Sequence, residues 1–231
     1  MKIAVFGANG PTGRLLVARL LEVGHHPVAV TRRPESFPAG APGVSVVGAD
    51  ALMPDSVLGT LEDADAVIST LGVPFTRGPV TTFSAGTSAI LAAMNAKGIR
   101  RIVVVSSTGA HHYRNRRESP LSLRLFEPVI SRTIGKTVYE DLRRMEAVVQ
   151  DSRVDWTIVR PSTLFDADKV SRYTAGLVAP IGAFTARIDL ADYLATVLTD
   201  RASFQTTPII STTEGAPTFL QNLKNQMARN R

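Results

Sequence analysis

The chain contains no cysteine among its 231 residues, which excludes a disulfide scaffold, a zinc ribbon and a thiolate nucleophile. Long hydrophobic runs are also missing. Apolar runs such as Ile102 to Val105 and the largely apolar Trp156 to Val159 fall far short of the ~20 residues that cross a bilayer, so no membrane-spanning helix is expected. No fixed-period repeat or low-complexity stretch is present, which argues against a solenoid or an array. Met1-Lys2 runs straight into Ile3-Ala4-Val5-Phe6-Gly7. That segment is too short for the apolar region of a signal peptide and lacks a small-residue cleavage site. A cytoplasmic protein beginning on its first strand is expected.

What is present is ordinary globular material, 44% hydrophobic and 20% charged. One domain over residues 1–231 is expected, with substrate-lobe segments near 111–136 and 163–185. The net charge of +6 is uneven, because His111 to Arg144 holds eight basic residues against four acidic ones. Such a patch draws in nucleic acid, a phosphorylated cofactor or an anionic substrate, or is simply a solvated face. Without interleaved aromatics or a DNA-reading motif, nucleic acid is not the expected partner.

Short β-branched runs alternate with segments of helical period, the pattern of repeated βα units and a mostly parallel sheet. Strands are expected at Ile3–Phe6, Pro27–Thr31, Val44–Val47, Ala66–Ser69, Ile102–Ser106, Trp156–Val159 and Thr207–Ile210. Several are apolar throughout, as strands covered on both faces should be. Helices are expected where Leu16, Leu20 and Val23 share a face, over Phe83–Ala96, and where Val138, Leu142, Met145 and Val149 recur at helical spacing. Asp189, just before Leu190, reads as the N-cap of a further helix. Pro34–Gly43 is a loop by composition, and the basic tail from Gln221 to Arg231 reads as a frayed helix.

The most informative stretch is Gly7-Ala8-Asn9-Gly10-Pro11-Thr12-Gly13-Arg14, placed between the first strand and the first helix. Gly7 suits a tight turn, Gly10 lets backbone approach a pyrophosphate, and Gly13 lets the helix pack close to the strand. The helix N-terminus then offers free N–H groups and a partial positive charge. In an NAD site the second strand ends in a carboxylate that binds the ribose 2′-hydroxyl. Here it ends in Thr31-Arg32-Arg33-Pro34, and guanidiniums suit a 2′-phosphate, so NADP(H) is the expected cofactor. Arg14 offers a third cation. Asp50 follows the third strand as a cofactor contact or a turn residue, and Leu71-Gly72 closes the fourth with a small turn able to pass along the cofactor.

The Gly-x-x-Gly-x-x-Gly spacing, Thr31–Pro34, Val103–Thr108 and Asp155–Pro161, taken in order, resemble an atypical short-chain dehydrogenase/reductase. More closely, the chain is similar to the NmrA-like NAD(P)-binding proteins and the biliverdin-IXβ/flavin reductase group. The resemblance spans about residues 1–215. It implies a doubly wound α/β Rossmann fold with a small C-terminal substrate lobe, an adenine contact for Asp50, and a nicotinamide beside Ser106, Ser107 and Thr108.

Classical members pair a tyrosine with a lysine four residues on. Here Tyr139 is followed by Arg143, a planar fork in place of a compact ammonium. Tyr139 is therefore a candidate proton donor or a packing residue, Thr108 a candidate catalytic hydroxyl or a strand-end cap, and Tyr113 a second tyrosine within reach of a pocket. Glu146 and Arg160 match family positions and read as a charge pair bracing the sixth strand. The sequential pairs His25-His26 and His111-His112 lack metal-ligand spacing, so no metal is expected.

The expected function is NADPH-dependent hydride transfer to a small planar acceptor, such as a flavin, a quinone or a carbonyl compound, held among Thr108–Tyr113, Tyr139 and Leu164–Phe184. The basic region points to an anionic acceptor. Alternatives are a non-catalytic NADP(H)-binding sensor and a nucleotide-sugar isomerase or epimerase. A monomer or a homodimer is expected.

Overall fold

In a computed structural model, residues 1–38, 42–74, 76, 78–111, 113 and 135–217 are described. The apolar runs form parallel strands, and the amphipathic segments between them return the chain to the same edge of the sheet. The elements are β1 (Lys2–Phe6), α1 (Pro11–Glu22), β2 (His26–Thr31), β3 (Ser45–Gly48), α2 (Pro54–Leu58), β4 (Ala66–Ser69), α3 (Thr82–Lys97) and β5 (Arg101–Val105). They continue with α4 (Lys136–Gln150), β6 (Asp155–Pro161), β7 (Thr163–Phe165), β8 (Tyr173–Gly176), β9 (Phe184–Ala186), α5 (Arg187–Thr199) and β10 (Ile209–Thr212).

Eight strands lie in the order β3-β2-β1-β4-β5-β6-β10-β8, all parallel to their neighbours except β8 against β10. This is the doubly wound Rossmann arrangement, and the chain reverses direction across the sheet between β1 and β4. A crevice opens at such a switch point, beyond the carboxyl ends of the strands. β7 and β9 pair separately as a small parallel sheet in the C-terminal part, around Phe165, Phe184 and Ala186.

Side-chain alternation splits the core in two. Ala4, Phe6, Val28, Val30, Ile102, Val104 and Ile158 face α3 and α4, meeting Ile90, Met94, Leu142 and Met145. Ile3, Val5, Ala29, Ile68, Val103 and Val159 face α1 and α5, meeting Leu16, Val17, Leu20, Leu190 and Leu194. The two faces are locked by polar groups as well. Asp141 of α4, fully buried, accepts from Phe83 N (2.8 Å) and Ser84 N (3.3 Å) and caps α3 from a neighbouring helix. Arg101 donates to Val197 O (2.6 Å) and Leu198 O (2.9 Å) at the end of α5. Burial lowers its pKa to about 10, despite the nearby charges of Asp155 and Asp200.

Three readings of the sequence change. Asp189 is not an N-cap: α5 starts at Arg187, because β9 runs directly into the helix through Ala186. Buried Asp189 instead accepts from Ser171 N (2.8 Å) and Thr212 Oγ1 (2.6 Å), tying β10 to the helix. Val17, not Val23, completes the buried face of α1, and Val23 is exposed. β3 is an edge strand and largely exposed. Finally, α2, β7, β8 and β9 were not expected, being only three to five residues long. The tail 221–231 and most of 111–136 lie outside the described residues.

Candidate dinucleotide site

Where β1 ends, Gly7 adopts φ +76°, and a Cβ there would lie 2.6 Å from Thr70 O on the neighbouring β4 turn. A Cβ on Gly13 would lie 2.3 Å from Gly7 O. These two glycines let the chain double back under the helix that follows. Gly10 is the N-cap of α1, with Pro11 in the first turn, where a missing N–H costs nothing. No acidic residue occupies that turn, so its electrostatics favour an anion.

Beyond the turn lies a cleft of about 530 Å³. Its walls bring together Gly7, Asn9, Gly10, Pro11, Thr12 and Gly13 from the first turn, Arg32 and Arg33 after β2, Asp50 after β3, and Leu71 and Gly72 after β4. Val105, Leu164 and Arg187 extend the lining toward the far side. Asp50 lies on the wall and also closes its own turn, accepting from Leu52 N at 3.0 Å. Around Gly72 an added Cβ would meet nothing, so no close approach within the protein demands glycine there. Arg14, read from sequence as a third cation for the cofactor, is not among the lining residues. Its guanidinium bonds the Asn9 side chain and the Ser36 carbonyl oxygen.

The candidate catalytic residues gather after β5. Ser107 Oγ accepts from Gly109 N (3.1 Å) and caps the short turn Thr108–Ala110, in which Thr108 is buried. The phenol end of Tyr139, from α4, lies close against that turn, since a Cβ at Gly109 would sit 2.6 Å from the phenol oxygen. One helical turn on, Arg143 Nη1 donates to Ala110 O at 2.8 Å. Tyr139 and Arg143 thus share a face, as their spacing implied, and both grip the same turn. Ser106, Ser107, Thr108, Tyr139 and Arg143 are absent from the cleft lining, whereas Val105 at the end of β5 is part of it.

Beside them is a buried charge network. Arg160 of β6 grips both oxygens of Glu146 through Nε and Nη2, with side-chain exposures of 15% and 4%. His111 Nε2 lies 2.8 Å from Glu146 Oε2, and Arg160 Nη1 donates to the Tyr113 hydroxyl at 3.2 Å. Burial pushes the Glu146 carboxyl up, but hydrogen bonds from His111 and Arg160, with the Arg160 charge, outweigh it and hold it at about 2. Ser106 Oγ is buried beside this carboxylate without a hydrogen bond of ordinary geometry. The sequence reading found the Glu146–Arg160 pair but not the histidine, whose partner is 35 residues away. Arg187 was missed as a cleft residue, since it follows a strand too short to recognise. Among the described residues no group of three or more His, Asp or Glu could hold a metal ion, and no helix is long and apolar enough to cross a membrane.

A family model described as NAD(P)H-binding matches residues 7–201. The uncharacterised sugar epimerase YhfK of Bacillus subtilis is 25% identical over 173 residues, covering 71% of this chain and 72% of YhfK. A match to an uncharacterised Mycobacterium tuberculosis protein, 38% identical over 108 residues, covers only 12% of that much longer relative. Among solved structures, a Veillonella parvula short-chain dehydrogenase/reductase in complex with NADP superposes with TM-score 0.76 at 19% identity, covering 94% of this chain and 99% of that one. ChuY, an anaerobilin reductase from Escherichia coli O157:H7, gives 0.72 at 20% identity over 94% and 100%. At such identities these likenesses speak for the fold, while the family match covers most of the chain. With its glycine turn, its switch-point cleft and that match together, the chain belongs to the NAD(P)H-binding family of Rossmann-fold proteins.

Proposed function

We propose that the protein is an NADPH-dependent reductase that passes a hydride to a small planar acceptor such as a flavin, a quinone or a carbonyl compound. The observation that carries this reading is the pair Arg32 and Arg33 on the cleft wall at the end of β2, where an NAD site places a carboxylate. The residues fit the dinucleotide. Gly7 and Gly13 let the turn close without a clash against main chain, and α1 opens without an acidic residue in its first turn. Among the described residues no carboxylate forms an ion pair with Arg32 or Arg33, which leaves both for a 2′-phosphate.

When bound, the nicotinamide supplies the hydride. The chain's own part is positioning. Ser107 sets the turn after β5, Gly109 supports the Tyr139 ring, and Arg143 fixes Ala110. Tyr139 and Thr108 are the hydroxyls that hold a proton there. Val105 and Leu164 form the apolar part of the far wall, against which a flat acceptor packs.

The test is calorimetric titration with NADP+, NADPH, NAD+ and NADH, followed by NADPH consumption with FMN, a quinone and a diketone. Tight NADPH binding with acceptor-dependent consumption is expected. Tight binding with no turnover overturns the reductase reading in favour of a non-catalytic NADP(H)-binding protein. That second reading is favoured by Arg143, which stands where a catalytic lysine is expected and is bonded to a backbone carbonyl. The likeness to YhfK, named a sugar epimerase, adds a third arm: conversion of a nucleotide sugar without net NADPH loss.

A further inference from the structure

Arg32 and Arg33 sit on an exposed loop, and two long cations on a free loop would lose much of their phosphate affinity to ordering. The loop is not free. Ser36 Oγ donates to Arg33 O at 2.9 Å and accepts from Asn9 Nδ2 at 2.7 Å. Arg14 reaches from α1 to the same pair, bonding Asn9 Oδ1 and, at 3.1 Å, Ser36 O. The glycine turn after β1 and the arginine loop after β2 are thereby held as one body. Ser36 and Arg14 are not among the cleft-lining residues, whereas Asn9, Arg32 and Arg33 are. Ser36 therefore acts through its neighbours.

We propose that Ser36 is a positioning residue for cofactor selectivity, fixing Arg33 relative to the phosphate turn through Asn9 and Arg14. This rests on the reading of the site as an NADPH site and assigns its selectivity to a residue that does not touch the dinucleotide. The clamp acts on the 2′-phosphate end. Loosening it lowers affinity for the 2′-phosphorylated dinucleotide and leaves the other dinucleotide unaffected.

The experiment uses the full-length chain as wild type, Ser36→Ala and Ser36→Thr, titrated with NADPH and NADH by nicotinamide fluorescence. Ser36→Ala is expected to weaken NADPH binding about fivefold, the loss of one or two modest hydrogen bonds, with NADH unchanged. Ser36→Thr, which keeps the hydroxyl, is expected to restore the preference. Equal weakening of both dinucleotides assigns Ser36 a general structural role and overturns the proposal, as does an unaltered preference in Ser36→Ala. A wild type that binds NADH as tightly as NADPH overturns the underlying NADPH reading and the clamp's role with it. A selective wild type whose selectivity survives the alanine overturns the clamp alone.

Discussion

The carboxyl ends of β1 and β5 lie two strands apart on one edge of the same sheet, yet they are built from different materials. At β1 the structure uses backbone: Gly7 and Gly13 approach main-chain atoms so closely that a single added carbon collides. At β5 and β6 it uses charged and polar side chains, with Glu146 from α4, Arg160 from β6, and His111 and Tyr113 from the segment after β5. A phosphate cradle needs converging N–H groups, which any contiguous strand-turn-helix with the right glycines supplies. An acceptor site needs particular functional groups at particular points, and tertiary packing delivers those.

This contrast makes the first end intolerant of added volume and the second intolerant of lost charge. The largest effect is expected from Gly13→Ala, whose Cβ meets rigid backbone at 2.3 Å and 2.7 Å. It should destabilise the fold by about 3 kcal/mol or more and abolish dinucleotide binding. Thermal unfolding and NADPH titration check this, and full binding would show that the turn can shift.

Next comes Glu146→Gln, which keeps the shape and removes the charge facing buried Arg160. A loss of about 2 kcal/mol is expected, read by urea denaturation. The Glu146 pKa is depressed from 4.5 to about 2 in the folded chain. Its contribution is therefore complete above the unfolded value and disappears as pH falls from about 4.5 to about 2. The variant should lack that part of the acid dependence; an identical acid limb would remove Glu146 as its source. Asp141→Asn is expected to be mildest, about 1 kcal/mol from a weaker cap on α3, with dinucleotide affinity unchanged. A change in affinity would show that α3 communicates with the cleft.

Much of the fold was legible because it depends on period. The six strands in the order β3-β2-β1-β4-β5-β6 and the helices α1, α3 and α4 are long or apolar enough for their patterns to show. β7, β8 and β9 are not, since three or four residues carry no usable period. Asp189 illustrates a different failure. It stands next to an apolar run and so mimics a cap, but the strand before it removes the need for one and its carboxylate joins Ser171 to Thr212. In the site, Arg32 and Arg33 could be placed from their position at the end of a strand. Arg14 looked equally suited to a phosphate; in the fold its guanidinium engages the Asn9–Ser36 link, which only packing of the two loops brings within its reach.

The sequence alone determined the βα repeat, the glycine turn and the charge at the end of β2, because each depends on residues a few positions apart and on sterics that act locally. Only the tertiary structure decided that Tyr139 rests on Gly109, that Asp141 caps another helix, that His111 joins the Glu146–Arg160 pair, and that Arg14 braces the cleft without lining it. Those contacts join residues that 22 to 58 positions of chain separate in most cases, and their geometry exists only once the helices have packed against the sheet.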